Sequence, residues 1–160
     1  MWQEFMGILQ QMVSIYEELE TLGRKKREHL VVLNLAALDK ILEKENVCAR
    51  KIAGLEKERQ KVFLKLACAE KRLRPNMKMS DMLELVPADL QERFSSLQEA
   101  LTSAVDRVKK DEKETSLLVH GALDAVNIQL NRIGGTRVEP AYGSGGQDVV
   151  SHRKNFEFRA

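Results

Sequence analysis

The sequence predicts an all-α protein: long antiparallel helices forming a coiled-coil-like helical bundle, followed by a flexible C-terminal tail. Three observations predict this class. The 160 residues are 43% hydrophobic and 31% charged but only 5% aromatic, which favours long amphipathic helices over sandwiches and barrels. Only three prolines occur, at Pro75, Pro87 and Pro140, so two long stretches lack a helix breaker. Within both stretches apolar residues recur every three or four positions, as on one face of a helix.

The first helix is predicted over residues 2–33. Its apolar seam alternates steps of three and four residues and comprises Trp2, Phe5, Leu9, Met12, Tyr16 and Leu19. The same phase then lands on Gly23 and Lys26 before it returns to apolar residues at Leu30 and Leu33. A glycine inside a helix costs roughly 0.5–1 kcal/mol relative to alanine, so the pattern is also compatible with a bend or break at Gly23.

The second helix is predicted over residues 35–73, with Asn34 as its N-cap because an asparagine side chain accepts from free amides at a helix start. Its seam comprises Leu38, Ile41, Glu45, Cys48, Ile52, Leu55, Arg59, Val62 and Leu66. Glu45 and Arg59 interrupt the apolar pattern, and we interpret them as solvated or register-setting polar positions. Pro75 stops the helix, since proline disfavours helical backbone in the residue before it.

The third helix is predicted over residues 88–133, after a short helical piece between Ser80 and Val86. Its seam starts with Leu90, Phe94, Leu97, Leu101, Ala104 and Val108. It turns polar at Asp111 and Thr115. The pair Gly134-Gly135 is a helix stop. We therefore expect a helical domain over residues 1–135 and a flexible tail over residues 136–160.

A second apolar stripe follows the polar break of the third helix. It comprises Val119, Leu123, Val126, Leu130 and Ile133, with Leu117 and Leu118 beside it. If the first two helices end before this portion, the stripe lacks a partner within the chain, and a helix of another protein could lie against it. The alternative is that the stripe packs on the first two helices.

The charge balance argues against nucleic-acid binding. The formal net charge is +2, and the single basic run, Arg24-Lys25-Lys26-Arg27, has no aromatic residue interleaved, so it is interpreted as a solvated face. Cys48 and Cys68 lie twenty positions apart on one predicted helix, too far for a disulfide, and are typical of a reducing compartment. We find no signal peptide and no run of ~20 apolar residues, so a cytoplasmic protein without membrane insertion is expected.

The sequence offers no catalytic or metal-binding constellation. His29, His120 and His152 are scattered, without the spacing of a metal site. The tail glycines match neither a phosphate-binding loop nor a dinucleotide fingerprint. We expect no enzyme activity, no catalytic residues, no metal and no cofactor.

The predicted C-terminal tail contains a sequence motif that indicates a particular protein family. Residues 142–153 read YGSGGQDVVSHR. This string resembles the C-terminal end of FlgN-type flagellar export chaperones, and the order of helices resembles that family as well. The sequence departs from the family pattern at Asp111 and Glu114, which stand where asparagines often precede the Leu117-Leu118 pair.

The resemblance implies a chaperone that holds the hook–filament junction proteins FlgK and FlgL unassembled and delivers them to the export gate. It implies that Leu117, Leu118, Leu123, Val126, Leu130 and Ile133 bind the substrate protein. It also implies that Tyr142 and Gly143 dock on FlhA, a component of the gate. A different class remains open, namely a structural coiled-coil or scaffold protein that self-associates through its heptads. The pattern fits a monomer or a homodimer equally.

Overall fold

The computed structural model describes residues 1–74 and 77–134, and it confirms the all-α class. The helices in these ranges are α1 (Trp2–Val31), α2 (Leu35–Ala69), α3 (Met79–Met82), which continues into a 3-10 turn (Leu83–Leu85), and α4 (Gln91–Gly134). They divide into two compact units, of which the first contains residues 1–116 and the second begins at Leu117. The predicted tail, residues 136–160, lies outside the described residues.

In the first unit, α1 and α2 pack antiparallel. Leu22, near the end of α1, shares an apolar cluster with Ile41 and Cys48, near the start of α2. At the opposite end Phe5 shares a cluster with Leu66. The predicted antiparallel pairing of successive helices is therefore confirmed. Both cysteines are free thiols on α2, Cys48 buried in the core and Cys68 exposed.

The first part of α4, residues 91–116, runs alongside α1 in the same direction. At the base of the bundle, the Phe94 ring stacks on Phe5 at 6.4 Å, and Trp2 meets Phe94 edge-on at 6.1 Å. Further along, the Arg107 Nε donates to Glu20 Oε2 at 2.9 Å. α1, α2 and this part of α4 thus form an up-down-up bundle of three helices.

The turn between α1 and α2 explains why α1 ends at Val31, two residues before the expected end. Leu33 has a φ of 54°, in the left-handed region that favours glycine. The amide of Leu33 donates to the Leu30 carbonyl at 3.2 Å, and the amide of Asn34 donates to the His29 carbonyl at 3.0 Å, which is a Schellman stop. As predicted, Asn34 caps α2, since its Oδ1 accepts from the amide of Ala37 at 3.1 Å.

The other end of α2 lies at Ala69, four residues before the expected end. Glu70 adopts extended backbone, and the chain turns so that Leu73 becomes buried. Leu73 joins Met82 and Val86 in the cluster that closes the base of the bundle. Pro87 starts a turn rather than a helix, because Leu90 donates to its carbonyl at 2.8 Å and α4 begins only at Gln91. The end of α2 and the start of α4 are therefore set by the burial of apolar side chains. The helical pattern alone does not encode this burial.

A buried polar layer crosses the bundle where the apolar seams are interrupted. The Lys26 Nζ lies 2.8 Å from Glu45 Oε1 and 3.0 Å from Glu112 Oε1, and only 8% of Lys26 and 4% of Glu45 is exposed. Beside it, Arg27 Nη1 donates to Asp111 Oδ1 at 2.7 Å. The interpretation of residues 24–27 as a solvated face is therefore wrong for Lys26 and Arg27, whose partners lie on other helices.

Gly23 belongs to the same layer, and α1 continues through it without a break. A Cβ at this position would meet the Cβ of Asp111 at 3.8 Å, an ordinary contact. Alanine would therefore fit at this position as well, and the glycine does not end the helix. Arg59, the other polar seam position, pairs within α2 with Glu56 at 2.6 Å.

The electrostatics of the layer keep its cation charged. Burial acts to lower the pKa of Lys26, but the hydrogen bonds and charges of Glu45 and Glu112 together raise this pKa above its ordinary value. Burial raises the pKa of Glu45, which exceeds the opposing effect of the Lys26 ammonium. Among residues 1–74 and 77–134, Lys26 is the only cation paired with Glu45, whereas Lys26 has two carboxylate partners.

We expect Lys26→Met to lower the free energy of unfolding by about 3–5 kcal/mol, because it leaves Glu45 buried without a cation. Glu45→Leu should have a smaller effect, because Lys26 keeps Glu112. The double variant should recover wild-type stability or exceed it, since two apolar residues replace a desolvated pair. Urea unfolding followed by circular dichroism at neutral pH measures all three.

Arg72→Met, which breaks an exposed ion pair with Glu70, is the control and should leave the unfolding midpoint unchanged. A Lys26→Met protein as stable as the wild type would contradict the role of the layer.

We expect Leu33→Gly to raise the free energy of unfolding by about 0.5–1 kcal/mol, because glycine removes the steric penalty of the left-handed backbone. Leu35→Gly is the matched control. Leu35 is equally exposed but begins α2, so glycine there should lower the stability. Thermal and urea unfolding measure both variants, and equal effects of the two substitutions would show that Leu33 carries no strain.

Candidate functional site

The second unit contains the part of α4 that we call the distal segment, residues 117–134. None of its side chains is buried, which is unusual for a segment so rich in aliphatic residues. Seven large hydrophobic side chains are exposed there: Leu117, Leu118, Leu123, Val126, Ile128, Leu130 and Ile133. All six residues predicted to bind a substrate protein therefore lie on one helix and are accessible.

Charge changes abruptly at the start of the distal segment. The twelve residues 105–116 include eight charged residues, namely Asp106, Arg107, Lys109, Lys110, Asp111, Glu112, Lys113 and Glu114. The eighteen residues of the distal segment include only Asp124 and Arg132 besides His120. An exposed helix that needs only water on its surface would carry many more charges, so the composition indicates a surface for a partner.

Helical geometry groups most of the predicted residues into one stripe. Val119, Leu123, Val126, Leu130 and Ile133 follow steps of four and three, so they share one side of the helix. We call this set the primary stripe. Val126 lies eleven residues, about three turns, after the buried Thr115, and Thr115 lies eleven after the buried Ala104. The eleven-residue spacing that separates the two buried residues is therefore repeated in the sequence at Val126.

Leu117 and Leu118 do not belong to this stripe. At about 100° per residue, Leu117 lies half a turn around the helix from Val126, and Leu118 lies about a quarter turn from it. The sequence-based prediction placed both beside the stripe because they adjoin it in sequence. It also missed Ile128, which is exposed and lies on the same side as Leu117 because eleven residues separate them. That spacing was available in the sequence, and it places both residues on the side of the helix that also carries Asp124 and Arg132.

The arrangement suits binding by shape and apolar contact. Within residues 1–74 and 77–134, no group of three or more histidine, cysteine, aspartate or glutamate side chains is placed to hold a metal ion. Among the same residues, no helix combines the length and the apolar character needed to cross a bilayer. Tyr142 and Gly143, the predicted gate-docking residues, lie outside the part of the chain that the structure describes.

Comparison with known proteins identifies the family. No curated protein and no solved structure matches the chain. The family model described as FlgN protein matches residues 1–149, which includes every described helix and also positions 142 and 143. A match over nearly the whole chain agrees with the helical architecture and with the tail motif, so this protein belongs to the FlgN family of flagellar export chaperones.

Proposed function

We propose that this protein binds the hook–filament junction proteins FlgK and FlgL in the cytoplasm, prevents their premature assembly and delivers them to the export gate. Family membership supports the general role of a flagellar export chaperone. The observation that carries the specific proposal is the exposed, nearly uncharged primary stripe of the distal segment. Junction proteins assemble through helical surfaces in this proposal, and a helix laid on the stripe would cover such a surface.

Burial of the primary stripe supplies a usable driving force. A fully buried aliphatic side chain contributes roughly 1.5–3 kcal/mol, and the four most exposed stripe residues have half or more of their surface still accessible. The stripe therefore offers about 4–7 kcal/mol from this chain alone. Association costs about 4–15 kcal/mol, so a complex also needs apolar surface from the partner or from a further side of the helix. Such a balance suits a chaperone that must release its cargo.

Delivery is the second part of the proposal. Tyr142 and Gly143 belong to the tail string that resembles the family, and we propose that they dock on the gate component FlhA. A tyrosine side chain is large and amphipathic, and the glycine that follows it in the sequence has no side chain to obstruct such a contact. This step needs neither a nucleotide nor a covalent intermediate on the chaperone.

A self-associating scaffold is the second candidate. The primary stripe has the alternating four-three spacing of a coiled-coil seam, so a second copy of this chain could cover it. Such a protein would form a stable homodimer without any flagellar partner. Sedimentation of the purified protein, combined with titration of a junction protein, separates the two candidates, because only the scaffold combines a stable oligomer with no binding of that protein.

We expect calorimetric titration with the C-terminal segment of FlgK or FlgL to show binding in a ratio of about one to one. The double variant Leu123→Asp, Leu130→Asp should abolish it, because two carboxylates would be buried in an apolar contact. The matched control is Leu33→Asp, Leu64→Asp, which makes the same changes at two exposed leucines of the first unit and should bind like the wild type.

Retained binding by the Leu123, Leu130 variant would keep the chaperone role but move the site away from the stripe. No binding by the wild type, together with a stable oligomer of the free protein, would overturn the chaperone proposal in favour of the scaffold.

A further inference from the structure

Apolar contacts hold residues 91–104 of α4 in the bundle. Phe94 and Leu97 are buried in the cluster that also contains Phe5 of α1. Ala104, at the end of this stretch, is buried as well. This part of α4 can therefore separate from the other helices only when the apolar core at the base of the bundle is disrupted.

The next twelve residues of α4, 105–116, are attached differently, and we call them the strap. Among the described residues, the apolar cluster of this half of the bundle lies wholly on α1 and α2. Its buried members are Leu22, Ile41 and Cys48. Thr115 is the one buried residue of the strap, and its hydroxyl makes no hydrogen bond to the described residues. A buried hydroxyl without a partner has lost its hydration, so this burial opposes the packing of the strap.

Ion pairs attach the strap to α1. They are Arg107 with Glu20 at 2.9 Å, Glu112 with Lys26 at 3.0 Å, and Arg27 with Asp111 at 2.7 Å and with Glu114 at 3.7 Å. The side chains of Arg107, Glu112 and Glu114 are about half exposed to solvent. Dissolved salt screens the attraction between charges that are so exposed, so the attachment of the strap weakens as the ionic strength rises.

Separation of the strap from α1 leaves no buried charge without a partner. Lys26 keeps Glu45 of α2, whose Oε1 lies 2.8 Å from its Nζ, when Glu112 moves away. The side chain of Arg27 is partly exposed already and gains water. The Thr115 hydroxyl gains water as well, which removes the unfavourable burial. The polar layer therefore opposes opening of the α1–α2 pair much more than opening of the strap.

We propose that the strap opens from α1 and α2 as the ionic strength rises, while residues 91–104 stay packed at the base. Thr102 and Ser103 precede the strap, and their low helix propensity makes this the least costly place for α4 to bend. The bundle then consists of three helices at its base and of the α1–α2 pair above. Stability that differs between parts of one domain is the general basis of such local opening. This inference does not depend on the proposed function.

Thiol labelling of the full-length chain with the substitution Thr115→Cys tests the strap. Iodoacetamide labels accessible thiols, and peptide mass spectrometry gives the rate at each position. We expect the rate at position 115 to rise at least tenfold between about 0.1 M and about 1 M sodium chloride, because the Debye length falls from about 10 Å to about 3 Å. The exposed thiol of Cys68 in the same chain is the reference for any effect of salt on the reagent.

Leu97→Cys is the matched control for position in the bundle. Leu97 and Thr115 are both 6% exposed, but Leu97 belongs to the part of α4 that apolar contacts hold. Its labelling rate should change less than twofold over the same range of salt. Circular dichroism compares the helix content of both variants with that of the wild type at each salt concentration.

Removal of a cation provides an independent variant. Arg27→Gln, added to Thr115→Cys, removes two of the ion pairs and should raise the labelling rate at position 115 about fivefold at low salt. The further response to salt should be smaller than without this substitution. Arg59→Gln is the matched control and should leave the rate unchanged, because Arg59 is similarly exposed but pairs with Glu56 within α2.

Three results would overturn the strap. One is a labelling rate at position 115 that does not respond to salt. Another is an equal acceleration at positions 97 and 115, which would show that the whole bundle opens. The third is an increase with salt that Arg27→Gln does not reproduce at low salt, because the ion pairs would then not be the attachment. None of these results bears on the binding of FlgK, so the proposed function is tested separately.

Discussion

The meeting of Lys26 and Glu45 inside the bundle is the constraint on which the arrangement of the helices depends. Apolar heptads are nearly alike from one repeat to the next, so an all-apolar seam tolerates a slip of one helix past another. A slip by one turn, about 5.4 Å, would separate the Lys26 ammonium from Glu45 and Glu112 and leave charges buried without partners. The polar layer therefore contributes less to stability than to the choice of a single register. The Arg27 contact with Asp111 extends the same requirement to α4.

The sequence predicts the helices because their apolar seams and caps are local features. Asn34 caps α2 as the pattern indicates, and the seam residues of α1 and α2 form the core. The partners of Lys26 lie nineteen and eighty-six residues away along the chain, so no local pattern could show that the basic run enters the bundle. The end of α2 and the start of α4 depend on the burial of Leu73 and Val86 in the core. This burial is likewise a tertiary property.

The candidate site can be predicted from the sequence only in part. The primary stripe follows from spacing alone, whereas exposure depends on which residues have neighbours, and only the structure provides it. Leu117 was grouped with the stripe by adjacency in sequence, although its position on the helix separates them by half a turn. Ile128 lies on the same side of the helix as Leu117, which the sequence shows once positions eleven apart are compared.

The aromatic trio at the base of the bundle has a consequence for spectroscopy. Trp2 is the only tryptophan of the chain, and it packs edge-on against Phe5 and Phe94. Residues 117–134 contain no tryptophan, tyrosine or phenylalanine. The tryptophan fluorescence of this protein therefore reports on the base of the bundle alone, because the emission of Trp2 shifts when α1 and α4 separate there. A tryptophan-free cargo that touches only residues 117–134 leaves that emission unchanged.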